Sequence, residues 1–215
     1  MNQLRINGKS SYDDFDVYIS ARKISLPKKK TIQETPPFSN MVYDYSDLNG
    51  EIYWEWRTLE YEFDIAEFTA VEMENVKSKL ADWILNVHNA EIYDPYIGDY
   101  HYYGSYEDGS WDEDFGAGTL SVSFLVYPYK IANNPKTFIL SDGTYEQTEK
   151  EIVNNSSHRV KATITSTGSF GIETNGMVYS VGVGTYTDFY LQAGTNAMLI
   201  TGTGELTFTY TEEKF

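Results

Sequence analysis

Residues 191–215 constrain the fold of this chain more than any other stretch. They read LQAGTNAMLITGTGELTFTYTEEKF, in which Gly194 and Asn196 supply the chemistry of a turn. Residues 206–210 alternate apolar side chains with threonine, the period of a strand with one buried face. Residues 201–204, Thr-Gly-Thr-Gly, predict a tight turn before that strand. We therefore expect a terminal hairpin that closes a β-sandwich.

The composition indicates a folded chain without cysteine chemistry. With 215 residues, 41% of them hydrophobic and 16% aromatic, the chain can bury a core in one large β domain or two small ones. It has no cysteine, so neither a disulfide nor a thiolate ligand is available, which fits synthesis in a reducing cytoplasm. No apolar run approaches about 18 residues and no basic-then-apolar leader follows Met1, so we expect no membrane span and no Sec signal.

The charge is strongly negative and unevenly distributed. A formal net charge of −16 argues against nucleic-acid binding, which needs a basic surface. Residues 1–30 hold seven Lys or Arg against three Asp, whereas residues 42–115 hold nineteen Asp or Glu against three Lys or Arg. Opposite patches on one chain would suit head-to-tail contacts between copies. The alternative is that the basic and acidic segments form two solvated surfaces with no role in contacts between copies.

Residues 70–87 are expected to form a helix that lies against a sheet. Thr69 and Glu72 make a T-x-x-E capping box, which satisfies the first N–H groups of a helix. Apolar residues then recur at three- and four-residue steps and form one stripe, from Met73 to Val87.

Two aromatic segments flank Asn49-Gly50, the strongest hairpin signal in the first half of the chain. We expect residues 42–45 and 52–56 to pair with each other about this turn. After Ile131 the composition changes to Thr and Gly with short alternating strands, which is typical of a β-sandwich. This change predicts two domains, residues 1–132 and 133–215.

The acidic and aromatic residues 106–114 are the best candidates for catalysis. Glycoside hydrolysis needs two carboxylates, here Asp112 and Glu113, with aromatic rings to stack the sugar. A calcium-binding site is the alternative, since the carboxylates of Asp108, Asp112 and Asp114 could serve as ligands. The D-x-D-x-D-G spacing of a calcium loop is absent, however. A turn at residues 107–109 explains the cluster without either chemistry. We predict no enzyme activity and no cofactor.

Histidine and glycine motifs point to no other chemistry. The histidines lack zinc-binding spacing, and no nucleophile elbow or Walker loop is present. They are His88, His101 and His158.

The order of several motifs resembles that of the distal tail proteins of long, flexible-tailed bacteriophages. The C-terminal run matches the end of their second domain, and an aromatic hairpin, a capped helix and a P-Y-K strand end match the first. In this chain the matching residues of the hairpin and strand end are Tyr43, Asp44, Tyr45, Ser46, Gly50, Tyr53, Arg57, Pro128, Tyr129 and Lys130. The resemblance covers most of the chain.

The resemblance implies a mainly β fold: an N-terminal β-sandwich with one α-helix and a β-hairpin, followed by a C-terminal galectin-like or jelly-roll β-sandwich. It further implies a virion protein of a phage or prophage, assembled in the host cytoplasm, at the tail tip. Six copies of the first domain would form a ring. That ring would join the tail tube protein to the tail-tip hub or tail-associated lysin protein, and the outer domain would hold peripheral parts such as a receptor-binding protein.

The aromatic hairpin is the leading candidate for the oligomer contact, because Trp and Tyr are often central to interfaces. Plain core packing is the open alternative. The candidate interface residues are Tyr43, Tyr45, Tyr53, Trp54, Trp56 and Arg57.

Two readings of function compete with the tail-tip role. A β-sandwich with exposed aromatic rings could be a carbohydrate-binding module for host cell-wall glycans. The second, glycoside hydrolysis, would require activity that depends on Asp112 or Glu113. If the ring forms, the acidic residues 42–115 are expected to line its channel and repel DNA phosphates.

Overall fold

The computed structural model describes residues 3–46, 50–66, 69–114 and 117–215, and the chain divides into two compact units. The first unit ends at Pro128 and the second runs from Tyr129 to Phe215. Across these described residues the protein is mainly β with one α-helix, and this fold class confirms the expectation from the sequence. The predicted domain boundary at residues 132 and 133 stays a prediction.

The first unit contains one long helix among antiparallel strands. In chain order its elements are β1 (Arg5–Ile6), β2 (Lys9–Ser10), β3 (Tyr18–Ile24), β4 (Gln33–Glu34), β5 (Tyr43–Asp44), β6 (Arg57–Ala66), α1 (Ala70–Ile84), β7 (Ala90–Tyr93), β8 (Tyr100–Asp114) and β9 (Ala117–Val126). Its main sheet has the strand order β2-β1-β7-β8-β9-β6-β3.

Helix α1 begins as its sequence predicts. The Thr69 side chain accepts from the Glu72 backbone N–H, and the Glu72 carboxylate accepts from the Thr69 N–H. The helix ends at Ile84, earlier than expected, because the Val87 N–H donates to the Ile84 carbonyl in a turn after the helix. Val87 is nevertheless buried, so the apolar stripe continues beyond the last helical turn.

The buried face of α1 packs into the core of the first unit. Met73, Leu80 and Trp83 are nearly inaccessible and join the inward side chains of β6 and β9. The Trp83 Nε1–H donates to the Ile6 carbonyl at 3.1 Å, and the Phe15 ring stacks on the indole with centroids 4.8 Å apart. The hydrogen bond satisfies the polar end of a buried indole.

A buried carboxylate shows how far the sheet of the first unit curls. Asp94, which follows β7, is 3% exposed; its Oδ2 accepts from the Tyr61 hydroxyl of β6 at 2.7 Å. The same oxygen lies 2.6 Å from Nε of Arg22 on β3. Strands β8 and β9 stand between β7 and β6 in the sheet order. The contact therefore requires β7 to face β6 and β3 across the curled sheet, as in a sandwich.

The second unit consists of strands only. They are β10 (Lys130–Ala132), β11 (Lys136–Asn154), β12 (Val160–Ser166), β13 (Ser169–Thr174), β14 (Met177–Val181), β15 (Gly184–Leu191), β16 (Gly194–Tyr210) and β17 (Glu213–Lys214). The main sheet has the order β14-β13-β16-β12-β15, and β11 pairs with β16. Its core contains Ile164, Ile172, Leu191 and Phe208, all of them inaccessible or almost so.

The predicted terminal hairpin is wrong, because residues 194–210 form one continuous strand, β16. β11 pairs along β16 throughout, while β13 pairs with residues 199–203 and β12 with residues 206–210 on the other side. The glycines mark the place where the neighbouring strand changes. Gly202 has φ +145°, and a Cβ there would lie 2.2 Å from the Ser169 carbonyl oxygen.

Asp94→Asn is expected to destabilise the first unit by up to about 3 kcal/mol, because the Arg22 guanidinium, on a side chain only 21% exposed, loses its buried carboxylate partner. All four tryptophans, Trp54, Trp56, Trp83 and Trp111, lie in this unit, so urea unfolding followed by Trp fluorescence measures it. Asp99→Asn, at an exposed position in the same turn region, is the matched control. Equal stability of the two variants would contradict the role of Asp94.

Gly202→Ala is expected to lower the stability of the second unit by more than about 2 kcal/mol, since the new methyl group meets backbone and the φ is strained. The control is Gly171→Ala on the paired strand β13, where a Cβ would meet nothing within 4 Å. Calorimetric unfolding measures both variants. A Gly202 variant as stable as the Gly171 variant would show that the close approach is not required.

Candidate assembly surfaces

A two-stranded arm, of which residues 26–46 and 50–56 are described, lies between β3 and β6 in the first unit. Its outgoing segment, residues 28–34, pairs with residues 53–55 near the root and with residues 43–45 farther out. At the root the Ser25 N–H donates to the Thr58 carbonyl at 3.1 Å. The arm is thus a continuation of the pairing between β3 and β6.

The pairing inside the arm differs from the predicted hairpin. Residues 42–45 and 52–56 were expected to pair about Asn49-Gly50, but the pairs that the structure describes join both segments to residues 28–34. Asn49 itself lies outside the described residues. The outgoing segment contains three lysines and no apolar alternation, and so it gives no strand signal in the sequence.

Most of the predicted interface residues lie on the arm with their side chains partly in solvent. Trp54 is half-buried, and the exposed ones are Tyr43, Tyr45, Tyr53 and Trp56, each between 41% and 47% exposed. Further exposed apolar side chains on the arm are Leu26, Ile32, Phe38, Met41, Val42 and Ile52. Exposed apolar side chains are thus concentrated on the arm, as is typical of an interaction site.

Local hydrogen bonds hold the outer part of the arm. The Asp44 carboxylate accepts from the Ser46 backbone N–H at 2.8 Å and from the Gln33 side-chain amide at 3.1 Å. Hydrogen bonds from Ser46, with a smaller contribution from Gln33, lower the pKa of Asp44 to about 2. The Ser46 hydroxyl in turn accepts from the Ile32 N–H. Both sides of the arm are therefore joined by side chains as well as by backbone.

Arg57 is set apart from the five aromatic residues. It begins β6, is 5% exposed, and places its guanidinium 5.2 Å from the centre of the Tyr102 ring in the core. Burial, together with the nearby Arg22 charge, lowers the pKa of Arg57. Its Nε and Nη2 have no hydrogen-bond partner within the part of the chain that the structure describes. Arg57 therefore belongs to the interior at the root of the arm.

The outward side of β6, β9 and β8 forms an acidic face. Glu60, Glu62 and Asp64 of β6 lie opposite Ser123, Ser121 and Thr119 of β9, which in turn lie opposite Asp108, Ser110 and Asp112 of β8. Lys23 contacts this face at its edge, with Nζ 2.9 Å from the Glu60 carboxylate. The face is open to solvent, so its carboxylates act on whatever approaches the sheet.

The catalytic and calcium candidates do not converge. Residues 107–109 lie within β8 at a β-bulge, so the predicted turn there is wrong. Glu113 pairs with Lys77 of α1, whereas Asp112 faces outward. Asp108 and Asp112 are about 13 Å apart at about 3.3 Å per residue of strand, too far to share one ion. Within the described ranges, no three His, Asp or Glu are grouped as metal ligands would be.

The three histidines occupy separate environments. His88 is exposed after α1, and His101 is buried in β8 beside Tyr93, with ring centroids 5.3 Å apart. His158 lies in the second unit, where its ring stacks on the Tyr129 ring with centroids 3.9 Å apart.

No α-helix in the described portion of the chain is long and apolar enough to cross a membrane.

The fold has a counterpart among solved structures. No family model and no curated protein matches the sequence. The crystal structure of the Dit protein of SPP1 matches with a TM-score of 0.75 over 99% of each chain, at 14% sequence identity. That protein is described as a paradigm of the hub adsorption apparatus in phages that infect Gram-positive bacteria. The match confirms, at the level of the fold, the resemblance to distal tail proteins.

Proposed function

We propose that the protein is a structural component of a phage or prophage tail tip, in which six copies form a ring. The observation that carries this proposal is the match to SPP1 Dit over 99% of both chains. Because both units and their order are matched, the similarity extends beyond a single β-sandwich module. In this role the protein is not an enzyme and uses no cofactor.

The arm is the proposed contact between neighbouring copies. A two-stranded ribbon is marginal on its own in water, and this one exposes tyrosine and tryptophan rings. A neighbour that covers Tyr53 and Trp56 would bury the kind of side chain that dominates interface energies. Arg57 would act from beneath the root of the arm, where it fixes the start of β6.

Charge supports a head-to-tail arrangement of the copies. Lys28 and Lys30 lie exposed near the root of the arm, whereas the acidic face lies on the sheet of β6, β8 and β9. Opposite charges on different surfaces of one chain attract and orient neighbours, as a ring requires. Carboxylates that remain uncovered would face the channel and repel DNA phosphates.

The two ends of the ring would contact different tail proteins. We propose the tail tube protein on one side and the tail-tip hub or tail-associated lysin protein on the other. The second unit, proposed as a galectin-like domain over residues 133–215, would lie outside the ring and hold a receptor-binding protein. Assembly would take place in the cytoplasm of the bacterial host.

Light scattering and negative-stain images of the purified chain test the ring. We expect particles of six 24.6 kDa chains with a central hole. The double variant Tyr53→Ser with Trp56→Ser is expected to reduce the ring to smaller species, because it removes two exposed rings of the arm. The control is Tyr190→Ser, at a similarly exposed tyrosine of the second unit.

Two results would contradict these proposals separately. Rings that persist in the double variant would move the contact away from the arm. A wild-type chain that stays monomeric at every concentration would argue against self-assembly. It would favour the carbohydrate-binding alternative, which a glycan array would then test.

A further inference from the structure

Strand β14 forms a free edge of the second unit. It lies at one end of the strand order β14-β13-β16-β12-β15 and pairs only with β13 in this unit, which the structure describes throughout. Its register with β13 runs unbroken from Met177 to Val181. An edge strand presents unpaired N–H and C=O groups to any chain that can align with it.

Natural edges are usually protected, and this one is not. Proteins blunt a free edge with charged side chains, proline or bulges. Residues 174–187, which include all of β14, contain no charged residue and no proline. The outer edge of β11 differs, because that strand carries Asp142, Glu146, Glu149 and Glu151. Strand β15, at the other end of the sheet, carries Asp188.

The side chains of β14 combine exposure with a fixed backbone. Met177 is 59% exposed and Val178 is 71% exposed, whereas Val181 is buried. The Tyr179 ring meets Phe189 edge-on, with centroids 5.0 Å apart, and this contact holds the middle of the strand on the core. The edge is therefore ordered before any partner arrives, which lowers the entropy cost of binding.

We propose that β14 pairs antiparallel with β14 of a second copy of this chain about a two-fold axis. With the axis at Tyr179, Val178 lies opposite Ser180 of the second copy, and Met177 lies opposite Val181 of the second copy. The pairing continues the β13–β14 layer of each copy across the contact. It also brings the exposed Met177 and Val178 side chains beside cross-strand neighbours of the second copy.

Charge explains why the occupant is a second copy. Each chain carries a net charge of −16, and in a two-fold contact a patch meets its own copy, so such a contact requires a patch without net charge. A β11 edge paired with itself would bring four carboxylates of each copy together against two lysines on the same strand. On β15, Asp188 is paired with Lys161 at 3.2 Å, so that edge carries a charge that is already balanced. Like charges on facing strands destabilise pairing. Among these three edge strands, β14 is the one that carries no charged residue.

This contact is independent of the proposed ring. A two-fold contact uses the same patch on both partners and joins two chains, whereas a ring uses two different patches. Five residues of edge make a small interface, so we expect a weak dimer that forms at high concentration. If rings form, the contact would join two rings through their second units.

Sedimentation equilibrium of the full chain over a concentration series tests the proposal. For the wild type we expect a monomer–dimer equilibrium, or pairs of rings. Val178→Lys places like charges on both edges, so it should raise the dissociation constant of the dimer at least about tenfold. Val153→Lys, at a 48% exposed valine of β11, is the matched control and should leave the equilibrium unchanged.

Hydrogen exchange on the wild-type chain gives a second measurement that needs no variant. Amides of residues 177–181 should exchange more slowly at high than at low concentration. The proposal is overturned if exchange there is independent of concentration, or if Val178→Lys and Val153→Lys associate equally. The double variant Tyr53→Ser with Trp56→Ser distinguishes the arm contact from the β14 contact. It should no longer form rings but should still form the β14 dimer.

Discussion

The first unit depends on one buried carboxylate. Asp94 holds Arg22 of β3 and Tyr61 of β6 against the end of β7, although these strands lie far apart in the sheet order. A buried ion pair adds little net stability over a well-packed apolar contact, but removing one partner is costly. The contact therefore acts mainly on specificity, since it selects the one curvature of the sheet that brings these three groups together.

The same network gives the arm a rigid base. The arm leaves the unit between β3 and β6, the two strands that Asp94 holds. A flexible ribbon that presents aromatic rings would lose conformational entropy on docking, and a fixed root limits that loss. Arg57 contributes at the same place, because its guanidinium is packed on Tyr102 directly beneath the start of β6.

The sequence predicted local features well and distant pairings poorly. The capping box of Thr69 and Glu72 and the alternation of β9 are present, because both depend on neighbouring residues. The glycines at residues 202 and 204 predict a turn, and that prediction is wrong, since a close approach to β13 and a tight turn require the same residue type. Nothing local distinguishes the two cases.

The candidate site shows the same division. Exposed rings of Tyr43, Tyr45, Tyr53 and Trp56 agree with a surface made from an aromatic ribbon. The burial of Arg57 was not predictable, because its aromatic partner, Tyr102, lies on a strand remote in sequence. The outgoing half of the arm was equally unpredictable, since a lysine-rich segment takes its extended place only through pairing with residues 43–45 and 53–55.

Strand β16 has a mechanical consequence for the second unit. It is bonded to β11 along its length on one side, and to β13 and then β12 on the other. A pull along such a strand must shear both rows of hydrogen bonds at once, whereas an edge strand can be peeled away one pair at a time. The second unit is therefore built to carry tension through its centre, and it would yield first at its outermost strands.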